Sequence, residues 1–360
     1  MTTFDILKKN NLNIIYCYIF AKIISLTAII LILPIIFNKN YFYSNDFYNL
    51  YILCEFRSPN YLFSITTCFL KINELTDIQA LVLSGAVNFL KDLLFLTVAA
   101  NFLKKNFLII FSLLLASHPY LNLYYLKFTP DLINCFMVSL YFYLIIFKIN
   151  INKVIKIVFL FGSMMRNSLI PFFVSYFLIK IFEKIFLKKR YIIIEDLIFI
   201  LLLGLSLLIV KDDYGSEFLS SNKLYDLNLN LFLGIINSGI SFLDYLISFL
   251  LNLISHLILL MGFREQAYTE FLEFFSINNE LLNFYLIIGI SLFIFHFLGF
   301  LYFLKKFLKR NIYFIPLIVL IIPHIFLVAH LRYFMPLIPI SIFGICLLMQ
   351  NTLVKEKYEK

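Results

Sequence analysis

The chain has no tryptophan and little charge: 14% of its 360 residues are Asp, Glu, Lys or Arg, while 62% are hydrophobic. A soluble domain is nearer a quarter charged and half apolar. Surface-to-volume scaling gives a water-soluble fold of this length no means of hiding so much apolar surface, and the mean hydropathy of +0.93 agrees. Scarcity of charge therefore excludes a soluble enzyme, a secreted disulfide scaffold and a disordered chain. The five cysteines include no CxxC and no Cys/His metal spacing. Cys54 and Cys68 are candidates to pair, the alternative being two small buried apolar residues. The five histidines are dispersed, and no Walker loop, GxGxxG, HExxH or GxSxG occurs. Neither nucleotide nor protease chemistry is signalled. Without tryptophan, interfacial aromatic belts fall to tyrosine.

What the chain does have is apolar runs long enough to cross a bilayer. They lie at roughly 12–37, 78–101, 106–123, 132–149, 192–210, 281–304, 312–329 and 333–350. The first is too long for a signal-peptide core and lacks a small-residue cleavage site, so it reads as an uncleaved span. The net charge of +9 would suggest nucleic acid in a soluble protein. Here the basic residues cluster between apolar runs, at Lys8/Lys9, Lys104/Lys105, Lys148/Lys153/Lys156, Lys188/Lys189/Arg190, Lys305/Lys306/Lys309/Arg310 and Lys355/Lys357/Lys360. The positive-inside rule assigns all of them, and both termini, to the cytoplasmic face. Both ends of 154–187 are then inside. A single crossing there would strand the Lys188 cluster, so the region is predicted to be a hairpin turning near Arg166. By the same arithmetic 229–262 is a second hairpin or an interfacial helix. The expected fold is all-α: one membrane domain over 1–360, a polytopic bundle of about nine to eleven spans with short re-entrant or interfacial helices on the outer side. The first outer loop is 38–77, and a second long outer segment is 211–280.

Most of the acidic residues fall in the outer segments, so chemistry is expected there. Asp46, in a Tyr/Asn-rich stretch past the first span, is a candidate general base, since a carboxylate at the membrane boundary can be partly desolvated. The alternative is a solvated helix cap. The next outer loop gathers His118, Lys127 and Asp131. Lys127 suits a phosphate as a point charge, and Asp131 is either a site residue or the N-cap of the following helix. Arg166, inside an apolar stretch, must face a cavity or a partner. Lys91 and Asp92 read as a structural polar pair, each bonding to a different helix, and Lys22 has no evident account. The ending His330-Leu-Arg332-Tyr333-Phe-Met-Pro336-Leu-Ile-Pro339 puts an arginine beside two prolines. Such a kinked outer half-helix would turn backbone carbonyls and Arg332 inward, where the guanidinium can bind a lipid phosphate bidentately. An outer-leaflet anchor is the alternative role for Arg332.

Together these features resemble the GT-C superfamily of polytopic glycosyltransferases, which holds the protein O-mannosyltransferases and aminoarabinose transferases. The resemblance rests on Asp46, on the His118-Pro-Tyr to Lys-Phe-Thr-Pro-Asp131 loop, on the Met-Arg166-Asn break, and on the Arg332-Tyr-x-x-Pro-x-x-Pro ending. It implies a sugar donor on a polyprenyl phosphate and inverting transfer to a lipid, glycan or protein acceptor on the periplasmic side of a bacterial inner membrane. It also implies Asp46 as base, with Arg332, Arg166, Lys127, His330 and Asp131 around the donor phosphate. No cofactor is entered. A divalent metal is left open, because Asp46 lacks the paired acid common in the family and one carboxylate makes a poor cation site. Membrane lipids are expected partners and nucleic acid is not. Two other classes compete: a transporter or flippase of a lipid-linked substrate, using Lys22, Lys91, Asp92 and Arg166 as coupling groups, and a polysaccharide polymerase or ligase.

Overall fold

In the computed structural model the described residues are 12–36, 68, 77–118, 121–122, 130–166, 169–186, 193–209, 295–309, 311–320 and 335–358, and no strand occurs among them. Long apolar segments build α1 (Leu12–Ile36), α2 (Asp77–Phe102), α3 (Lys105–Ser117) and α4 (Pro130–Ile146). They are followed by α5 (Lys153–Met165), α6 (Leu169–Phe186) and α7 (Ile193–Ile209). A helix over 295–307 is α8. A 3-10 turn, Ile312–Phe314, leads into the short α9 (Ile315–Val319), and another, Met335–Leu337, leads into α10 (Ile338–Tyr358). Two helical stretches, Val82–Phe102 and Met335–Leu353, are long and apolar enough to cross a membrane.

Local chemistry sets the boundaries. The apolar run 106–123 was expected to be one span, but α3 stops at Ser117 and His118 takes an extended conformation, φ −61° and ψ 120°. Pro119 is the reason, because the residue before a proline is pushed out of the α region. Asn152 caps α5, its side chain accepting from Ile155 N–H at 3.0 Å. Lys148, the described non-glycine with a positive φ (52°), closes α4. Ile149 N–H reaches back to Leu144 C=O at 2.9 Å, the six-to-one bond of a Schellman ending. Pro336 and Pro339 were expected to kink a helix. They instead sit in the 3-10 turn and the first turn of α10, where a missing N–H leaves no intrahelical bond unmade.

The helices pack into a bundle: α1 on α3, α2 on α4, α3 on α10, α5 on α4 and α7, and α6 on α7 and α9. The chain reverses between α5 and α6. Arg166 leaves the helix at φ −144°, its N–H bonded to Gly162 C=O, and Leu169 N–H takes Arg166 C=O to start α6. Lys156 at the start of α5 and Lys184 at the end of α6 both bond Asp196 at the start of α7, so the three ends lie together. α5 and α6 thus form an antiparallel pair, as the charge placement on either side of them predicts.

One end of the bundle carries lysines: Lys104 and Lys105 between α2 and α3, Lys148 and Lys153 between α4 and α5, and Lys305 and Lys309 on α8, all exposed except for the part-covered neighbour Lys306. Behind it lies an aromatic core. Phe142 meets Phe95, Phe303, Phe314 and Phe343, while Tyr141 packs on Phe172 and Tyr176. The outside is apolar: Phe20, Phe161, Phe182 and Leu201 are exposed. Two glycines let α8 and α10 cross in backbone contact. A Cβ on Gly299 would stand 2.1 Å from Ser341 C=O, and one on Gly344 would stand 1.9 Å from Gly299 C=O. Only hydrogen fits there, the device by which small residues bring helix backbones together.

Candidate functional site

Charged side chains are buried where the outer surface is apolar. Asp92 is 0% exposed, whereas Phe20 is 68% exposed. Measured from the lysine-bearing end at 1.5 Å per residue, Lys22, Asp92, His118, Asp131 and Arg166 fall about 15–25 Å into the bundle. Helices of opposite direction have thus brought their polar residues to one layer.

The first group joins α1, α2 and the turn after α3. The Tyr18 hydroxyl donates to Asp92 Oδ2, which also pairs with Lys22 Nζ at 3.6 Å. Lys22 donates to Asn122 Oδ1 at 2.5 Å, and Asn122 is held by its own amide donating to Ala116 C=O at 2.7 Å. Lys91 Nζ lies 3.3 Å from Asp92 Oδ1 and donates to Asn88 Oδ1 at 3.0 Å. Lys91 and Asp92 were expected to bond different helices. They lie in contact with each other, and Asp92 reaches α1 through Tyr18 and Lys22. Lys22, unexplained by the sequence, is the cation that Asp92 holds across the helix pair.

The second group is a histidine pair. His118 Nε2 and His296 Nε2 are 3.0 Å apart, both rings buried. Residues 178 positions apart meet here because α8 is drawn in by the Gly299–Gly344 crossing, one turn from His296. Nothing in the spacing of five scattered histidines could have found this pair. Among the described residues no three His, Cys, Asp or Glu side chains converge as a metal site needs.

The third group contains two residues singled out from the sequence. Arg166 Nη2 lies 2.8 Å from Asp131 Oδ1, with side chains 9% and 6% exposed. Asp131 lies within the first turn of α4, two residues past the position of an N-cap. One turn further along the same helix Asn134 is fully buried, and neither of its amide atoms has a hydrogen-bond partner. Cys17, Cys135 and Cys346 are free thiols, and Cys68 is disulfide-bonded. Its expected partner Cys54 lies outside the described residues, as do Asp46, Lys127, His330, Arg332 and the 229–262 region.

A separate ion cluster closes the lysine-bearing end. Lys156 Nζ donates to Glu195 Oε1 at 2.8 Å and Asp196 Oδ1 at 2.7 Å, and Lys184 donates to the other Asp196 oxygen. Burial pulls the Lys156 ammonium down, but its hydrogen bonds to Asp196 and Glu195 outweigh that and hold it above the ordinary value of 10.5. This cluster staples α5, α6 and α7.

No family model, curated protein or solved structure matches this chain.

Proposed function

We propose that the chain is a multi-pass membrane glycosyltransferase that takes a sugar from a polyprenyl-phosphate donor and transfers it on the extracytoplasmic side. The observation that carries this reading is the Asp131–Arg166 pair: the end of an outer loop and the apex of a hairpin, both selected from sequence, meet 2.8 Å apart at one buried site. A charged group at this depth needs a function or a partner to offset its desolvation. Cys68, which precedes α2 in the chain, is disulfide-bonded, and a disulfide suits an oxidising compartment. In this reading Asp46 is the base on the acceptor hydroxyl. Arg332, Lys127 and Arg166 hold the donor phosphate and stabilise the charge on the leaving group, and His330 and Asp131 lie beside it. The likeness to the GT-C superfamily points the same way, with the polyprenyl tail lying on the apolar outer faces.

Purified protein in liposomes, given radiolabelled polyprenyl-phosphate sugars and an acceptor-lipid extract, is expected to transfer label. Asp46→Asn and Arg332→Ala are each expected to lose it by at least 100-fold. Full activity in Asp46→Asn would remove the assigned base while keeping the class.

A second reading, transport of a lipid-linked substrate, is favoured by the Lys22–Asp92–Lys91 group, since ionisable residues at such depth serve as coupling groups in transporters. Flux of a fluorescent polyprenyl phosphate across liposomes, abolished in Lys22→Met with transfer activity absent, would select it.

A further inference from the structure

Asn134 is the unexplained residue of the described layer. Its side chain is 0% exposed, and neither the amide oxygen nor the amide nitrogen has a partner. A primary amide carries two donors and an acceptor with two lone pairs, and leaving them unmet in the interior is a net cost to folding. A leucine has the same branching without that cost. The residue lies three positions after Asp131, hence on the same helix face. The Asp131 oxygen facing Arg166 is in ion-pair contact but accepts no well-aligned hydrogen bond. Asp131 and Arg166 keep a sliver of exposure while Asn134 has none, so the pair lies at the rim of the polar layer and the amide a turn deeper.

We infer that Asn134 and Asp131 form a hydroxyl-recognition site, which holds the sugar ring of the lipid-linked donor. The inference rests on the glycosyltransferase reading and adds the residues that recognise the sugar. The donor and acceptor pattern selects the ligand. A phosphate only accepts, so it would leave the Asn134 oxygen unmet. A cation would leave the Asn134 amide hydrogens unmet and be repelled by Arg166. A neutral polyol satisfies all of them: one hydroxyl donates to Asp131 or to the amide oxygen, and its neighbour accepts from the amide N–H. The assignment also divides labour within the site. Arginine and lysine hold charge, and α4 reads the sugar.

The test measures binding of two probes to full-length protein in detergent: decaprenyl phosphate, and decaprenyl phosphate carrying glucose, mannose or arabinose. Phosphatidylglycerol serves as a polyol control without a sugar ring. Wild type is expected to bind at least one sugar-bearing lipid 10-fold or more tightly than the bare phosphate. Asn134→Leu is expected to bind the bare phosphate as wild type does and to lose that preference, while melting at or above the wild-type temperature without ligand. Asn134→Ala gives the same readout should leucine fail to fold. Preference retained in both variants, or absent in wild type, overturns the inference and leaves the donor class standing. An equal loss of phosphatidylglycerol binding in the variants overturns the sugar assignment. Failure of wild type to bind any polyprenyl phosphate overturns both the inference and the reading beneath it.

Discussion

The two halves of the described bundle use opposite means of holding helices together. Near the lysine-bearing end, contacts are apolar and aromatic, with rings such as Phe303, Phe307 and Phe314 in mutual contact and ionic groups kept to the rim. Some 15–25 Å further in, the same helices are joined through Lys22, Asp92, Lys91, Asp131 and Arg166. An aromatic interior stabilises by itself, and any one ring is replaceable at moderate cost. A buried ion group is different. It contributes little net stability over an apolar substitute, yet removing one partner is severe because the other charge stays behind. The first half therefore reads as scaffold, and the second as the part in which the loss of a single partner is most costly.

The largest test of that contrast is Asp92→Leu, which strands Lys22 and Lys91. A loss of about 3–5 kcal/mol is expected, seen as collapse of the monodisperse peak in detergent size-exclusion chromatography. Adding Lys22→Met to Asp92→Leu should recover part of the loss. If Asp92→Leu alone is neutral, the polar layer is not an ion group in solution and the contrast fails. Next, Gly344→Ala places a methyl against Gly299 C=O, and overpacking of this kind costs about 3 kcal/mol. Its melting temperature should fall, and Phe343→Leu in the neighbouring aromatic core should fall less.

Asp196→Asn probes the rim. A loss of about 2 kcal/mol is expected from weakened charge-assisted bonds to Lys156 and Lys184. Because the Lys156 ammonium is raised above 10.5 in the fold, its contribution is fully present below that value and disappears only as pH rises through the elevated one. The difference between wild type and Asp196→Asn should therefore stay flat from pH 7 to 9, in melting curves taken across that range. The smallest effect is Lys148→Gly. Relief of the left-handed backbone at φ 52° should raise stability by up to about 1 kcal/mol, so this change in the scaffold half should help where changes in the polar layer harm.

Legibility from sequence followed the range of each interaction. The start of α1 at Leu12 and the ends of α7 at Ile193 and Ile209 agree closely with the apolar runs, because hydropathy and helix length are local properties. The reversal at Arg166 was legible too, since lysine clusters on both flanks demand an even number of crossings. The end of α3 was misjudged because Pro119 outweighs an apolar run that continues past it. Of the candidate site, Asp131 and Arg166 were found individually, but their pairing was not. Lys22 was read only as a coupling group of the competing transporter class, with no structural account, and the histidine pair was invisible.

By itself the sequence determined that this chain is helical and strongly apolar, which segments form helices, and that residues 154–187 turn back on themselves. Composition, charge placement and proline act within a few residues or sum over the whole chain, so they survive without coordinates. Only the tertiary structure decided that Lys22 answers Asp92, that His118 meets His296, and that Asn134 is buried beside Asp131 with its amide unbonded. Those facts depend on which helix faces which, at what depth and in what direction. Here that was set by two glycines, an aromatic core and the rise of each helix from a common end.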